Sequence, residues 1–355
     1  MLTVLPDFRE EGWHSMDLCA DMLVKHAPVE AELKLSVPRY RNLLGFLPSK
    51  KAKNFDRWYN RWRVYPNHVK QLATQPGFFH IVDHSYAHLA HFLPEGRVGI
   101  YCHDLDAFKC VLTPEQETRS IWFRKMMARV FEGFKKARVV FCNTKSTQKS
   151  ILDLGIWKAS DVIHVPLGVA EEFSPRGDRE EGVYLLHVGS CIARKRIDVL
   201  LRALSEVCKG EKYFKLKLIQ AGGVFSSDQK KQIKELNLED RLEQRHNLTR
   251  EDLARLYRGA KCLLITSDAE GFGLPVIEGL SCGAKVIASD IPALREVGGL
   301  NIDYFTPGDP NACAKSILKV LDNPVAFRHA STGKWSWVEH AKRICGVYES
   351  MGSLI

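Results

Sequence analysis

The sequence predicts an α/β protein built from two doubly wound lobes with parallel sheets. The first observation is that short apolar runs of strand length alternate with amphipathic stretches of helix length. The second is that the runs are apolar throughout, as in strands that are buried on both faces of a sheet. The third is the length of 355 residues, which suits two domains of about 150 residues each.

The first lobe is predicted to span residues 1–173. Its apolar runs predict strands at Leu2–Leu5, Phe79–Asp83, Val98–Cys102, Val139–Asn143 and Val162–Val165. Its amphipathic stretches predict helices at Ser15–Lys25, Thr118–Lys136 and Ser146–Asp153. The segment Phe173–Gly182 that follows carries a proline, two glycines and five charges, which is the composition of a linker.

The second lobe, residues 182–337, shows the alternation more clearly. Strands are predicted at Val183–Gly189, Phe214–Ala221, Cys262–Thr266, Lys285–Ser289 and Ile302–Phe305. Helices are predicted from Ile197 to Leu204, at Ser227–Leu236, at Arg250–Arg258 and from Pro275 onward. In such sheets ligands bind beyond the carboxyl ends of the strands, so we expect a cleft between the lobes to hold the site.

The amino-acid composition indicates the class of binding partner and the cellular compartment. Lys and Arg outnumber Asp and Glu by 51 to 42, a net charge of +9, which indicates an anionic partner: a phosphorylated substrate, a membrane surface or nucleic acid. Nucleic acid is disfavoured because the cations cluster in one turn and one N-terminal stretch. Ten cysteines include no C-x-x-C pair and suit a reduced core. Without a membrane-length apolar run or a signal peptide, we expect a cytoplasmic protein.

The segment Glu270–Glu278 follows a predicted strand and opens a helix. Pro275 fits the first helical turn, where its missing N–H needs no partner. The glycines ahead of it let backbone N–H groups approach a ligand, and a helix start favours an anion. Glu278 lies one turn into the helix, so its carboxylate reaches back toward ligand hydroxyls. The alternative is a tight turn followed by a capping or solvated glutamate.

The segment Gly189–Arg196 also joins a strand to a helix. Its last three residues are cations, and at a helix start each opposes the macrodipole by roughly 0.3–1 kcal/mol. A bound diphosphate would relieve this conflict through the Lys195 ammonium and the helix N–H groups. The alternative is a solvated basic turn. We favour the ligand because the segment follows the carboxyl end of a strand.

These segments resemble family 4 of the retaining glycosyltransferases (glycosyl transferases group 1), which have the GT-B fold of two Rossmann-like lobes facing across a cleft. The resemblance rests on Gly189 with Arg194-Lys195, Leu248–Tyr257, Glu270-Gly-Phe-Gly with Glu278, the run to Gly283, Ala288-Ser-Asp290, Leu294-Arg-Glu-Val297 and Trp335-Ser-Trp337. It covers roughly residues 80–350 and is strongest in the second lobe. It also implies that a C-terminal helix over about 338–355 crosses back onto the first lobe.

The resemblance implies transfer of a sugar from a nucleotide diphosphate-sugar to a hydroxyl acceptor, with retention and with neither cofactor nor metal. Glu278 then binds the ribose, Glu270 positions a sugar hydroxyl, and Lys195 binds the diphosphate. The implied donor-binding residues are Gly189, Ser190, Arg194, Lys195, Asn247, Leu248, Phe272, Gly273, Leu274 and Glu278. Many members have an arginine where this chain has Ser190, so Arg194 or Arg196 is expected to supply that charge.

In the first lobe, His103 resembles the histidine that reaches the donor sugar near the reacting carbon. It completes a catalytic set with Glu270 and Lys195, and the acceptor-side residues are predicted to be Gly12, His84 and Asp104. Histidines also recur every three or four residues at His80, His84, His88 and His91. A metal site there is rejected, because the segment changes from strand to helix midway and the histidines do not share one face.

Residues 39–63 combine eight Lys or Arg with aromatic residues and a single acid, Asp56. Such a stretch is typical of a membrane surface contact, here beside a lipid-linked or saccharide acceptor. The alternative is a solvated helix whose aromatics pack on the lobe. The expected role is bacterial cell-surface polysaccharide or glycolipid synthesis. The rival functions are a nucleotide-sugar epimerase or hydrolase on the same fold, and a non-catalytic protein that binds an anionic ligand.

Overall fold

A computed structural model describes residues 1–47, 49–116, 119–213, 215–322 and 335–352. The chain divides into two compact units. Unit 1 comprises Met1–Leu167 together with Trp337–Ile355, and unit 2 comprises Gly168–Ser336. Residues 168–173, predicted for the first lobe, therefore lie in unit 2.

Unit 1 contains a six-stranded parallel sheet in the order β2-β1-β3-β4-β5-β6. Its strands are β1 (Leu2–Leu5), β2 (Leu33–Leu35), β3 (Phe78–Ile81), β4 (Val98–Cys102), β5 (Val139–Cys142) and β6 (Val162–His164). The chain winds to one side from β1 to β2 and then returns to β3 on the other side of β1. The strand order therefore reverses between β1 and β3, and a crevice at their carboxyl ends is the expected ligand position in this unit.

Helices connect these strands. They are α1 (His14–Lys25), α2 (Lys50–Tyr59), α3 (Tyr65–Leu72), α4 (Lys109–Leu112), α5 (Ile121–Phe134) and α6 (Lys145–Leu152). A π-helical turn over Asn60–Val64 joins α2 to α3. The α5 helix starts later than predicted because the Ser120 side chain caps it by accepting the Phe123 N–H at 3.3 Å. Thr118, where that helix was expected to begin, lies outside the described residues.

Unit 2 contains a second six-stranded parallel sheet in the order β12-β11-β10-β7-β8-β9. Its strands are β7 (Tyr184–Gly189), β8 (Lys217–Gly222), β9 (Leu242–Arg245), β10 (Cys262–Ile265), β11 (Val286–Ser289) and β12 (Asp303–Phe305). Its helices are α7 (Ile197–Val207), α8 (Ser227–Glu235), α9 (Arg250–Gly259), α10 (Leu274–Ser281), α11 (Pro292–Gly298) and α12 (Pro310–Asp322). The order reverses between β7 and β10, as in dinucleotide-binding folds.

Two doubly wound parallel sheets confirm the predicted α/β fold class. The two strands that the sequence did not reveal, β2 and β9, are both edge strands. Their residues are only half-buried or exposed, so they lack the apolar run that marks a central strand. The predicted strand at Phe214–Ala221 is observed as Lys217–Gly222, and Phe214 lies outside the described residues.

The last helix, α13 (Trp337–Gly352), belongs to unit 1. The Tyr348 hydroxyl lies 2.9 Å from Nδ1 of His80 in β3, and Nδ1 of His340 lies 2.9 Å from the Pro166 carbonyl oxygen. Gly99 in β4 makes room for this helix, because a Cβ there would lie 1.9 Å from the Tyr348 hydroxyl. Residues 353–355 of the predicted C-terminal helix lie outside the described residues.

Within the described ranges, no helix is both long and apolar enough to span a bilayer. The ten cysteines are all free thiols, and eight of them are buried. These buried thiols include Cys102, Cys142, Cys262 and Cys345, which the sequence predicts to be small core residues.

Candidate functional site

Two loops of unit 2 meet where its strand order reverses. One follows β7 and the other follows β10. The Thr266 hydroxyl donates to the Lys195 carbonyl at 2.8 Å, and the Asp268 N–H donates to the Arg194 carbonyl at 2.9 Å. Because both bonds run between the loops, the predicted segments 189–196 and 270–278 are held together at one edge of the sheet.

The Glu270 carboxylate lies at the centre of these loops. Its Oε1 accepts hydrogen bonds from Lys195 Nζ at 2.6 Å and from the Ser267 hydroxyl at 2.6 Å, and its Oε2 lies 3.4 Å from Arg194 Nη1. The two principal side chains are only 7% (Glu270) and 12% (Lys195) exposed. Burial alone would raise the pKa of Glu270, but the charges of Lys195 and Arg194 hold it below its ordinary value.

Arg196 takes no part in that cluster. It precedes α7 with a left-handed backbone (φ 49°), and its guanidinium pairs with Asp198 at 2.9 Å and with Asp268 at 3.1 Å. The three predicted cations do lie at the start of α7, with Arg196 as its N-cap, but the charge of Arg196 is met by acids of the chain. Of the two arginines expected to replace the family's missing arginine, only Arg194 contacts Glu270.

A buried hydrogen-bonded chain from His187 through Gln220 to Gly189 supports the loop after β7. It was not predicted from the sequence. His187 Nδ1 lies 2.5 Å from Gln220 Oε1, and the Gln220 amide donates to the Gly189 carbonyl at 2.8 Å. Burial, assisted by the charge of Lys195, lowers the pKa of His187 to about 4. The imidazole is therefore neutral at pH 7 and helps fix the loop beside Lys195. A histidine inside an otherwise apolar strand was the signal available in the sequence.

Glu278 is buried rather than solvated. Its carboxylate is in the second turn of α10, and its Oε2 accepts a hydrogen bond from the Tyr257 hydroxyl at 2.8 Å. Burial raises the pKa of Glu278 to about 7, although Tyr257 and Arg250 oppose the rise. The solvated alternative is therefore wrong. The sequence did not indicate the tyrosine partner, which comes from the neighbouring helix α9.

The turn that leads into α10 depends on glycine. Gly273 adopts φ 95°, and a Cβ there would lie 2.8 Å from the Leu294 side chain. Phe272 is buried and meets the Trp335 ring edge-on at 5.3 Å, so its side chain belongs to the core of unit 2. Pro275 lies in the first turn of α10, as predicted.

The remaining residues expected to bind the donor lie on loops of unit 2. Ser190 is exposed directly after β7, and Leu274 opens α10 with a half-buried side chain. Asn247 is exposed with φ 54°, and Leu248 follows it, half-buried, before α9. Next to them, His246 Nδ1 lies 2.8 Å from the carbonyl oxygen of Gly222, which ends β8.

In unit 1 the structure brings His84, His103 and Asp104 together after β3 and β4. The His103 N–H lies 3.4 Å from His84 Nδ1, and His84 Nε2 lies 3.9 Å from Asp104 Oδ1. His103 is buried, its Nε2 lies 3.0 Å from the Val82 carbonyl oxygen, and burial lowers its pKa. Gly12 ends a separate turn over Arg9–Glu11.

The other histidines of the spaced series have structural partners. His80 contacts Tyr348, His88 Nε2 lies 2.9 Å from the Arg61 carbonyl oxygen, and His91 Nε2 lies 2.9 Å from the Arg129 carbonyl oxygen. In the part of the chain that the structure describes, no group of three or more His, Cys, Asp or Glu side chains is arranged to hold a metal ion. Two buried acids, Asp7 and Asp83, lie at the same strand ends and were not predicted.

Comparison with known proteins finds similarity mainly in the second half of the chain. The family described as glycosyl transferases group 1 matches residues 169–333. A curated relative, the O-antigen chain mannosyltransferase B of Escherichia coli, is 27% identical over 246 residues, which are 65% of this chain and 63% of that protein. The chain spans less than two thirds of the length of the first curated relatives it matches.

Solved structures share the fold over the whole chain. The sucrose-phosphate synthase of Thermosynechococcus elongatus superposes with a TM-score of 0.74 and 18% identity, covering all of both chains. HepE of Anabaena, solved in complex with UDP, superposes with a TM-score of 0.64 and 15% identity, covering 99% of this chain and 97% of that one. The predicted GT-B architecture is thereby confirmed at the level of fold.

Proposed function

Because residues 169–333 match the family described as glycosyl transferases group 1, we propose that the chain is a retaining glycosyltransferase of family 4. It transfers a sugar from a nucleotide diphosphate-sugar to a hydroxyl of a saccharide or lipid-linked acceptor, in bacterial cell-surface polysaccharide or glycolipid synthesis. The observation that carries the proposal is the buried contact between Lys195 and Glu270 at the point where the strand order of unit 2 reverses.

The diphosphate of the donor binds beside Lys195. As the bond to the sugar breaks, negative charge grows on the leaving phosphate, and the cations Lys195 and Arg194 stabilise it together with the amino end of α10. These groups supply the charge that a metal ion supplies in other transferases. Glu270, fixed by Lys195 and Ser267, accepts a hydrogen bond from a hydroxyl of the donor sugar.

Glu278 holds the ribose. Tyr257 occupies one carboxylate oxygen, Oε2, and leaves Oε1 to accept a hydrogen bond from a ribose hydroxyl. The backbone near Asn247 and Leu248 receives the base, and the family resemblance assigns to His103 the role of the histidine near the reacting carbon of the sugar. These roles follow the family resemblance, and the buried position of Glu278 supports the ribose role.

The reaction exchanges one bond at the anomeric carbon and moves one proton. The acceptor oxygen bonds to the anomeric carbon on the face from which the phosphate oxygen departs, so configuration is retained. The electron pair of the broken bond stays on the nucleoside diphosphate, and the acceptor hydroxyl proton passes to the departing phosphate oxygen. Preorganised cations lower the barrier because they are already in place when that charge develops.

A thermal-shift panel of UDP-, GDP- and ADP-sugars tests the proposal. A donor at 100 times its Kd stabilises the folded chain by about 2.7 kcal/mol, and we expect one nucleotide class to raise the unfolding temperature by several degrees. The GDP arm includes GDP-mannose because of the mannosyltransferase relative, and the UDP arm includes UDP-glucose because HepE binds UDP. If no nucleotide sugar shifts the transition at millimolar concentration, the proposal is wrong. Turnover of the donor without an acceptor would instead identify an epimerase or hydrolase.

We also propose that unit 1 contacts an anionic membrane through a basic aromatic surface, formed by Lys50, Lys51 and Lys53 with Phe46, Phe55 and Trp58. The three aromatic side chains are exposed, Phe46 to 77%. Asp56 is turned inward, where its carboxylate accepts the N–H groups of Leu43 and Leu44, so its charge is not presented on this surface. Other aromatics of this stretch, Tyr40 and Trp62, pack against the core of unit 1.

Reversing the charge of this surface is expected to weaken binding to vesicles of phosphatidylglycerol at least tenfold. A lysine near an anionic bilayer contributes about 1 kcal/mol, so the triple variant Lys50→Glu, Lys51→Glu, Lys53→Glu changes several kcal/mol. The matched control is Lys230→Glu, Lys231→Glu, Lys234→Glu on the exposed face of α8 in unit 2. Co-sedimentation measures both. Binding that neither added salt nor the first variant weakens would exclude an electrostatic contact.

A further inference from the structure

We propose that Asp83 is a positioning residue for His84, and that this pair binds a hydroxyl group of an uncharged saccharide acceptor at the imidazole Nε2. The choice of acceptor rests on the proposed function. The contact between Asp83 and His84 is a separate statement about unit 1 that stands on its own geometry.

The first step concerns the Asp83 carboxylate, which is buried at the end of β3 and rigidly held. Its Oδ1 accepts the Ser85 N–H at 3.0 Å, and its Oδ2 accepts the Ser85 hydroxyl. The same Oδ1 lies 3.1 Å from His84 Nδ1. Two acceptor atoms would repel each other at this distance, so Nδ1 carries the hydrogen and donates it to Asp83. A protonated Nδ1 cannot also accept the His103 N–H, which lies 3.4 Å away, so the shorter contact with Asp83 takes the place of that longer one.

The second step concerns the opposite nitrogen. His84 is buried, and its Nε2 has no hydrogen-bond partner in the described part of the chain. Nε2 lies 3.9 Å from Oδ1 of Asp104, a side chain that is partly exposed. That gap is too long for a direct hydrogen bond. When both ring nitrogens are protonated, the Nε2–H can donate to a ligand hydroxyl that in turn donates to Asp104; an oxygen about 2.8 Å from both atoms would make an angle near 90° with them.

The third step concerns where the negative charge lies. Burial and the neighbouring Asp83, through its charge and a hydrogen bond between the two carboxyl groups, raise the pKa of Asp7 well above its ordinary value. Burial would also raise the pKa of Asp83, but His84 and Ser85 hold it well below its usual range. Of the two acids, Asp83 therefore carries the charge, on the side that faces His84.

The surroundings also indicate the class of ligand. Burial opposes the charged form of His84, but the hydrogen bond and charge of Asp83, assisted by Asp104, raise its pKa, while Arg61 opposes the rise. Arg61 is itself paired with Glu11 at 3.6 Å. Carboxylates on both sides of His84 repel a phosphate or carboxylate ligand, whereas a hydroxyl both donates and accepts. The site thus suits an uncharged sugar.

Histidine NMR on the full chain tests the positioning step without any activity. The ring proton of His84, assigned by its loss in His84→Gln, is expected to titrate above the ordinary pKa of about 6.5. Asp83→Asn keeps the shape but removes the charge, and should lower that pKa by at least about one pH unit. Asp153→Asn, an exposed acid of unit 1, is the control and should change nothing. An unchanged His84 titration in Asp83→Asn overturns the positioning role.

Kinetics test the binding step, with the donor that the thermal-shift panel selects and methyl α-D-mannoside as acceptor. Asp83→Asn and His84→Gln are each expected to raise the acceptor KM at least tenfold and to leave the donor KM within twofold. Because the two residues act as one unit, the double variant should be no worse than His84→Gln alone. Equal effects on both KM values, or additive losses, overturn the proposal, as does an unchanged acceptor KM. Failure of every donor in the panel would count against the proposed function, and the NMR result would still decide the pair.

Discussion

Replacing Lys195 with alanine is expected to lower turnover at least tenfold and to weaken nucleoside diphosphate binding, while the chain stays folded. The Lys195 side chain is 12% exposed and belongs to the loop after β7, where the leaving diphosphate needs a preorganised cation. Ser267 and Arg194 still hold the Glu270 carboxylate in the variant, so the fold survives. Steady-state kinetics and calorimetry with UDP and GDP measure the effect. The control is Lys209→Ala, an exposed lysine paired with Glu206 at the carboxyl end of α7.

Glu270→Ala tests the other partner of the same contact and should behave differently. Turnover again falls at least tenfold, because the donor sugar loses its hydroxyl partner. Diphosphate affinity is expected to be kept or increased, since the Lys195 ammonium no longer shares its charge with a buried carboxylate. Near-normal turnover in either variant would refute the role of that residue. Equal losses of diphosphate affinity in both would mean that the ion pair only supports the loop.

Glu278→Gln is expected to remove the part of the pH dependence of nucleotide binding that Glu278 contributes. With a pKa of about 7, Glu278 is largely protonated at pH 6 and ionised at pH 8. Only the ionised form accepts ribose hydrogen bonds at full strength, so the wild-type advantage in affinity over the variant should grow from pH 6 to pH 8. Calorimetry with UDP and GDP measures it. The ligand phosphates titrate equally with both proteins, so their effect cancels in the ratio of wild-type affinity to variant affinity.

The same residue predicts a change in stability. The folded pKa of about 7 is above the ordinary value of 4.5, so the folded chain binds this proton more tightly than the unfolded chain. The contribution to the free energy of unfolding is therefore full below pH 4.5 and is lost as the pH rises through 7. Urea unfolding should show this slope for the wild type and for the exposed control Glu235→Gln. Glu278→Gln should lack it, and an identical slope in that variant would show that Glu278 is not the titrating group.

The hydrophobic pattern of the sequence was sufficient to predict most of the strands and helices. Central strands such as Val98–Cys102 are buried on both faces. The residues of such a strand are therefore mainly apolar, and the continuous apolar run is visible in the sequence. The edge strands β2 and β9 face solvent, so their residues are not constrained to be apolar and the pattern does not reveal them. Helix starts depend on single capping side chains, as Ser120 does for α5, and this explains the shifted boundaries.

The residues of the candidate site likewise fall into those that the sequence predicted and those that it did not. Glycines before a helix, a proline in its first turn and clustered cations are adjacent in the chain, so Lys195, Glu270, Gly273 and Glu278 were predicted. Tyr257 and Ser267, which hold two of these carboxylates, were not, because their roles depend on neighbouring elements. Arg196 looked equivalent to its neighbours, yet its backbone turns it toward Asp198 and Asp268.

The amino-acid sequence by itself determined which segments become strands and helices, and which loops carry glycine and charge, because those properties depend on neighbours a few residues away. Only the tertiary structure decided which charges meet. Buried contacts such as Lys195 with Glu270 and Asp83 with His84 set the protonation states, since burial penalises a charge and a nearby opposite charge restores it. That balance depends on distances that chain folding alone establishes.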